Sequence, residues 1–192
     1  MILTQHGINS LEVTPPSPSN VVNIGGRDYP YIQIGNQLWL TENLKYTRAH
    51  FSYPNDDSMN FDLGLLYQYY YVYNEIIPIL PNGWRIPTLN DGFTLYNSIG
   101  NIASDYLSTS VGGRDTYGFN ANLPGFRNSS GVMDRFQDGF YFWYQDTKSP
   151  STMYNFKLVK SDELVEYDND SSGNPLNVYS TALCVRLVRD IS

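Results

Sequence analysis

Alternating apolar and polar positions predict β-strands early in the chain. Residues 29–34 (YPYIQI) and 37–40 (QLWL) are rich in aromatic and β-branched side chains and flank a Gly35-Asn36 pair. A Gly-Asn pair between two such runs is typical of a hairpin turn. The later strand signals are residues 140–144, residues 154–167 as a strand or hairpin, and residues 178–188 as the last strand.

Two segments have the 3/4 spacing of amphipathic helices. The first helix is predicted over residues 65–77 and ends before Pro78. The second begins at Thr88, where Thr88 and Asp91 have capping-box spacing, and ends at Gly100. The predicted core faces are Leu66, Tyr69, Tyr70, Tyr73 and Ile77 in the first helix, and Phe93, Leu95, Tyr96 and Ile99 in the second. Two early helices and a late, loop-rich antiparallel sheet predict an α+β domain.

The first twenty residues differ from the rest of the chain. A mildly apolar segment, residues 1–13, is followed by residues 14–20, whose three prolines form a stiff, extended spacer. The predicted organisation is an arm and spacer over 1–20 and a domain over 21–192. We interpret the arm as a docking peptide, the alternative being a disordered terminus. The apolar side chains expected to dock are Ile2, Leu3, Ile8, Leu11 and Val13.

Charge and composition narrow the functional classes. The net charge is −7, with 12 Lys+Arg against 19 Asp+Glu, so the basic footprint of a nucleic-acid-binding protein is missing. No apolar run approaches the roughly 18 residues of a membrane span, and residues 1–9 do not resemble a signal peptide. We therefore expect synthesis in a cytoplasm. With 17 Tyr and only 16% charged residues, against about 25% in average domains, the composition resembles that of binding surfaces.

Six sequence blocks, in order, resemble the signature of one known family. They are residues 35–46 (GNQLWLTENLKY), 64–67 (GLLY), 81–88 (PNGWRIPT), 118–129 (GFNANLPGFRNS), 139–143 (GFYFW) and 185–190 (VRLVRD). Over about residues 22–190, the chain resembles the Fibrobacter succinogenes major paralogous domain family, which is grouped with C-type-lectin-like folds. The resemblance implies a C-type-lectin-like α+β domain, here preceded by an extended N-terminal arm.

The chain departs from this family at two positions that commonly hold cysteine. Leu80 precedes the P-x-G-W motif, and Leu187 lies inside the closing block. The resemblance implies that two leucines fill the space of a disulfide, which suits a reducing compartment. It predicts contact between Leu80 and Leu187, which would bring the end of the first helix to the last strand. Cys184, the only cysteine, is interpreted as a small buried hydrophobic residue on a strand.

Catalysis and metal binding find little support in the residues. The fold relatives include formylglycine-generating enzymes, which need a reactive thiolate, but Cys184 has no neighbouring His or Lys in sequence. The acidic loop 168–173 matches the first half of an EF-hand-like calcium loop, but Tyr179 stands where that loop requires a bidentate acid. This loop is therefore interpreted as a turn, and so is the acidic loop 55–58. His50 is interpreted as a solvated loop residue. The chain is therefore predicted to be no enzyme and to need no cofactor or metal.

The remaining possibility is that the domain binds a ligand without a metal ion. Tyrosine rings stack on sugar faces, and amide and carboxylate groups bind hydroxyls. In C-type-lectin-like domains the irregular second half usually forms the binding surface, which implies stretches 128–137 and 144–155 here. The candidate ligand-binding residues, expected to project outward, are Asn128, Asp134, Arg135, Gln137, Tyr144, Tyr154 and Asn155, whereas Trp39, Trp84 and Trp143 are expected in the core.

The leading hypothesis is a non-enzymatic phage structural protein made in the host cytoplasm. The arm would dock to other virion proteins, and the domain would decorate the capsid or tail and bind a host-surface glycan or protein in many copies. The first alternative is a bacterial cell-surface ligand-binding module of the same family. The second, less favoured, is an enzyme of the formylglycine-generating type.

Overall fold

A computed structural model describes the domain in seven stretches. Residues 20–46, 63–99, 114–134, 139–145 and 180–191 are described with their side chains, and residues 153–159 and 164–167 by their backbone. The predicted docking arm, including Ile2, Leu3, Ile8, Leu11 and Val13, lies outside the described residues. Within these stretches the domain is α+β, as predicted, with two helical segments and three antiparallel sheets.

The first sheet joins the start of the domain to its end. Strands β1 (Val21–Ile24), β2 (Arg27–Ile34), β3 (Gln37–Leu40) and β11 (Val188–Asp190) pair in the order β1-β2-β3-β11. The predicted hairpin around Gly35-Asn36 is confirmed, with Ile34 opposite Gln37. Gly35 has φ +60°, a conformation that glycine adopts without strain.

Two further sheets come from the middle of the chain. In the second, β4 (Tyr67–Gln68), β10 (Ala182–Leu183), β5 (Phe126–Arg127) and β6 (Met133–Asp134) lie in the order β4-β10-β5-β6. In the third, β7 (Gly139–Gln145), β8 (Met153–Val159) and β9 (Leu164–Tyr167) form a meander. The predicted strand at 140–144 and the hairpin within 154–167 are thus confirmed.

The last strand was predicted to be continuous, but the structure divides it between two sheets. Residues 182–183 pair with β4 and β5, whereas residues 188–190 pair with β3. Between them, Cys184 bridges to Phe142 of the third sheet. The chain changes partners within six residues, so one apolar run serves three sheets.

The first helix begins later than predicted and is irregular. Residues 67–68 are extended as β4, and the helix α1 (Tyr69–Tyr71) continues as a π-helix (Val72–Ile76) and a 3₁₀ turn (Ile77–Ile79). The buried positions are Tyr69, Val72 and Ile76, while Tyr70 and Tyr73 face solvent. The predicted core face was therefore wrong at Tyr70 and Tyr73, because the later start and the wider π-turn rotate the helix.

The second helix matches its predicted bounds. Helix α2 (Leu89–Ile99) follows Thr88, whose backbone N–H donates to Asp91 Oδ2 (2.6 Å). The Asp91 N–H donates back to Thr88 Oγ1 (3.3 Å), which completes the predicted capping box. Leu95 and Ile99 are buried, but Phe93 is 53% exposed, so its predicted place in the core was wrong.

Two hydrophobic clusters fill the domain, one on each face of β7. Phe140, Phe142 and Tyr144 belong to the first cluster, and Tyr141 and Trp143 to the second. Alternate side chains of a strand point to opposite faces, so β7, an edge strand of the third sheet, is buried on both faces. Trp39, Trp84 and Trp143 are buried, as predicted.

The second cluster includes both leucines, Leu80 and Leu187, that stand where the family commonly has cysteine. Leu187 is fully buried in it, and Leu80 packs against it. The antiparallel bridge between Arg85 and Val188 runs beside them. Both leucines therefore lie at the second cluster, and direct contact between their side chains stays a prediction.

Candidate functional site

The β5–β6 hairpin carries Asn128 and Asp134, two of the predicted ligand-binding residues. Asn128 Oδ1 accepts hydrogen bonds from the backbone N–H groups of Ser130 (3.1 Å) and Val132 (3.0 Å). Asn128 therefore organises the turn with its side chain. The side chains that the turn exposes are instead Ser129, Ser130 and Val132, the last 59% exposed.

The base of this hairpin is closely packed. Gly131 has φ +82°, and a Cβ atom there would lie 2.7 Å from Arg127 Nη2. Asp134, half-buried, lies opposite Phe126 across the strand pair. The hairpin is therefore a short, ordered projection with a polar tip.

Of the other predicted ligand-binding residues, only Tyr144 has a side chain that the structure describes. Tyr144 is 1% exposed and belongs to the first cluster, so the expectation of an outward side chain was wrong, because β7 is buried on both faces. Tyr154 lies opposite Tyr144, and Asn155 opposite Trp143, in the backbone register of β7 and β8. Arg135 and Gln137 lie outside the described residues.

Arg186, in the block VRLVRD, is a buried cation that donates four hydrogen bonds. Nε donates to Asn43 Oδ1 (2.9 Å), Nη1 to the carbonyls of Leu40 (2.9 Å) and Phe119 (2.7 Å), and Nη2 to the Asn120 carbonyl (3.1 Å). Its Cζ lies 4.7 Å from the centroid of the Phe119 ring. Burial lowers the pKa of Arg186 to about 10. These bonds tie the end of β3 to the loop at residues 119–120, so the residue serves the fold.

A second polar cluster surrounds the capping carboxylate of α2. Besides Thr88, Asp91 accepts from Gln37 Nε2 (2.7 Å) and Arg85 Nη2 (2.8 Å). Arg85 Nη2 also donates to Asp190 Oδ2 (2.6 Å). Burial opposes ionisation of Asp91, but the hydrogen bonds from Arg85 and Thr88 hold its pKa below the usual value. The cluster joins α2, β3 and β11.

The cysteine is buried and protonated. Cys184 is fully buried, and its Sγ–H donates to the Tyr141 carbonyl (2.6 Å). Burial raises the pKa of this thiol to about 12. A thiol with such a pKa is a poor nucleophile near neutral pH. The interpretation of Cys184 as a small buried hydrophobic residue is confirmed, with a one-residue bridge to β7 in place of a regular strand.

The described stretches hold neither a group of metal ligands nor a membrane-spanning helix. Within them no three His, Cys, Asp or Glu side chains group as metal ligands. No described helix has the length and apolarity to cross a membrane. The acidic loops 55–58 and 168–173 and both histidines lie outside those stretches.

The structure exposes an aromatic pair that the sequence pattern assigned to the core. Tyr70 is 56% and Tyr73 46% exposed, one turn apart on the first helical segment. The available signal was the run of consecutive tyrosines at 69–71, since adjacent helical residues cannot all face one core. The 3/4 spacing was satisfied by a second set, Tyr69, Val72 and Ile76, which the structure buries.

Comparison with known proteins gives one match. The model of the Fibrobacter succinogenes major domain family matches residues 32–189, which is most of the chain and nearly all of the described domain. No curated protein and no solved structure matches the chain. The α+β topology is therefore described from this structure, and the C-type-lectin-like class stays a prediction.

Proposed function

The chain belongs to the Fibrobacter succinogenes major domain family, and from this premise we propose that it is a non-enzymatic display protein of a phage virion. Residues 1–13 attach it to other virion proteins. The domain, of C-type-lectin-like type, decorates the capsid or tail and binds a glycan or protein of the host surface.

The observation that carries this proposal is where the arm enters the domain. β1 is an edge strand of the first sheet, and its exposed first residue, Val21, follows Asn20, whose carbonyl accepts from the Tyr31 N–H (3.0 Å). The last strand, β11, forms the opposite edge of the same sheet. The chain thus enters the domain at an exposed sheet edge, and this position supports attachment through the segment that precedes it.

The chemistry of the described polar groups supports binding rather than catalysis. Arg186 donates to carbonyl and amide oxygens, and Asp91 is held by Arg85 and Thr88. The Cys184 thiol is buried and protonated. Each group contributes to the fold, whereas the hairpin tip at Ser129, Ser130 and Val132 offers hydroxyl and apolar contacts at the surface.

Attachment is tested by co-purification with particles. The full chain and a variant starting at Val21 are each produced in a host during phage growth, and virions are isolated on a density gradient and analysed by mass spectrometry. We expect the full chain in the particle fraction and the shortened chain in the soluble fraction. A variant with Ile2→Asp and Leu11→Asp should behave like the shortened chain, because charged side chains do not fit an apolar docking site.

The matched control carries Ser17→Asp and Ser19→Asp in the spacer and should still co-purify. Equal amounts of full and shortened chain on particles would show that the arm does not dock. Absence of the full chain from every particle fraction would overturn the virion assignment, and would favour the cell-surface module instead.

A further inference from the structure

The strongest feature outside the proposed binding surface is the exposed aromatic pair on the first helical segment. Tyr70 and Tyr73 are about half exposed, although the chain buries most of its described aromatic side chains. Asn74 and Glu75 beside them are also exposed. Residues 70–75 thus present two phenol rings next to an amide and a carboxylate.

The rings are held in place rather than left to rotate freely. Tyr73 lies 6.1 Å from Tyr69, and Tyr69 lies 6.4 Å from the buried ring of Trp143, measured between ring centroids. Tyr70 meets Tyr71 edge-on at 5.5 Å. Tyr73 is therefore linked to the core through Tyr69, whereas Tyr70 packs on Tyr71, and this packing limits the conformational entropy that a stacking ligand costs.

The π-helix places the polar groups beside the rings. The Ile77 N–H donates to the Val72 carbonyl, which spans the wide turn over Val72–Ile76. Asn74 Nδ2 donates to the Tyr70 carbonyl (2.7 Å), which fixes the amide next to the ring pair. Single π-turns occur often at functional sites, because they turn extra side chains outward.

We propose that Tyr70, Tyr73, Asn74 and Glu75 form a saccharide-binding platform for a neutral sugar. Aromatic faces carry partial negative charge and attract the C–H groups on the apolar face of a hexose ring. The amide and carboxylate oxygens accept hydrogen bonds from sugar hydroxyls. The site is separate from the β5–β6 hairpin, and it does not depend on the arm.

Charge selects the class of sugar. Glu75 gives the platform one negative charge, and the whole chain carries −7. No described residue forms an ion pair with Glu75 that would neutralise it. Like charges repel, so sialylated, phosphorylated or uronic-acid sugars are disfavoured, and an uncharged hexose oligomer fits.

The test uses saturation-transfer NMR on the full chain with four neutral probes: cello-, malto-, galacto- and chito-oligosaccharides. An oligogalacturonate serves as the anionic probe. We expect one neutral probe to receive saturation on the C–H protons of one ring face, and the anionic probe to receive none. Binding titrations with Tyr70→Ala and Tyr73→Ala should each weaken affinity about fivefold, since aromatic contacts are worth about 1 kcal/mol.

Phe93→Ala is the matched control, because Phe93 is an equally exposed aromatic residue on α2. It should leave binding within about twofold. Tyr70→Phe and Tyr73→Phe keep the stacking faces and should retain most of the affinity. If Tyr73→Ala unfolds the protein, Tyr70→Ala still decides, because no ring contact joins Tyr70 to the described core aromatics.

Three results would overturn the platform. They are failure of all four neutral probes to bind, binding that both alanine variants leave unchanged, and preferential binding of oligogalacturonate. Self-association that Tyr70→Ala abolishes, with no sugar binding, would instead make this face an interface between copies. Removal of the arm should not change sugar binding, so failure of the platform and failure of the virion assignment are distinguishable.

Discussion

At the residue scale, Arg186 is the buried side chain whose hydrogen bonds connect separate segments of the domain. Its donors reach Leu40 and Asn43 near the first sheet, and Phe119 and Asn120 in the middle of the chain. A buried guanidinium is tolerated only when its N–H groups find acceptors, because an uncompensated buried charge is very costly. The geometry of the planar fork matters as much as the charge.

Replacing this fork by an ammonium group should destabilise the domain. Arg186→Lys keeps the charge but cannot reach four acceptors in the same directions, so we expect a loss of about 3 kcal/mol in the free energy of unfolding. Urea unfolding followed by tryptophan fluorescence measures it. Arg189→Lys, at an exposed position three residues later, should change stability by less than about 0.5 kcal/mol. Similar losses in both variants would contradict the structural role of Arg186.

The stability of the domain at acid pH also depends on a single residue, because it changes with the protonation of the Asp91 carboxylate. Because its pKa is lowered in the folded protein, Asp91 stabilises the fold at pH values above its unfolded pKa. That contribution disappears as the pH falls below about 4 and the carboxylate is protonated. Asp91→Asn should therefore lower the free energy of unfolding by about 2 kcal/mol at pH 7. Near pH 3 the variant and the native chain should differ less in stability.

The measurement is thermal unfolding of both proteins between pH 7 and pH 3. The difference in stability between the two proteins isolates Asp91, because Asp115 is present in both. Burial raises the pKa of Asp115, so its own contribution to stability has the opposite pH dependence. Asp190→Asn removes the more exposed carboxylate that Arg85 contacts, and should cost less than Asp91→Asn. A constant difference across the pH range would mean that Asp91 does not titrate as the structure requires.

At the element scale, the sequence predicted segments well where local chemistry decides them. The β2–β3 hairpin and the start of α2 follow from a Gly-Asn turn and a capping box, and both lie where they were expected. Side-chain placement was less predictable. Tyr70, Tyr73 and Phe93 satisfy helical spacing but are exposed, because spacing does not show where a helix begins or whether it contains a π-turn.

The candidate site was harder to predict than the fold. Asn128 was chosen as a ligand-binding residue by its polarity, but its side chain caps a turn. Tyr144 is expected outward because it begins the implied binding stretch 144–155, but β7 is covered on both faces. A long-range arrangement decided each case, and no local pattern at Arg186 reports its burial either.

The paired leucines allow a prediction about how the first helical segment is joined to the end of the chain. Leu80 and Leu187 pack in one cluster, and their family counterparts are commonly cysteine. Leu80→Cys with Leu187→Cys should form a disulfide in air-oxidised protein and raise stability by about 2–4 kcal/mol, since the closed loop is long. Thiol titration and mass spectrometry before and after reduction detect the bond.

The Leu80→Cys single variant is the control, and it should show two free thiols after unfolding and no gain in stability. If the double variant keeps three free thiols under oxidising conditions, the register between the PNGWRIPT and VRLVRD blocks is wrong.

At the scale of the whole molecule, three sheets and two clusters form one cooperative unit around residues 182–188. Cys184 lies at the centre of this stretch and bridges β7. Its thiol should react with an aromatic disulfide reagent only when the domain unfolds, because the folded thiol is buried and its pKa is about 12.

The rate of thiol labelling at pH 8 should therefore equal the rate of global unfolding, and should rise with urea as the fluorescence-detected rate does. A chain carrying Phe93→Cys in addition should show one rapidly labelled thiol and one slow one. Rapid labelling of Cys184 in the native protein would reveal local opening of β10, and would contradict a single cooperative unit.

The position of the last strand has a consequence for biosynthesis. β3 ends at Leu40, but its partner β11 begins only at Val188. The acceptors of Arg186 are translated long before the arginine that satisfies them. A nascent chain therefore carries unfilled polar acceptors and an unpaired strand edge until residues 186–190 have been translated. Stop codons upstream of residue 182 should yield products that the cell's proteases remove.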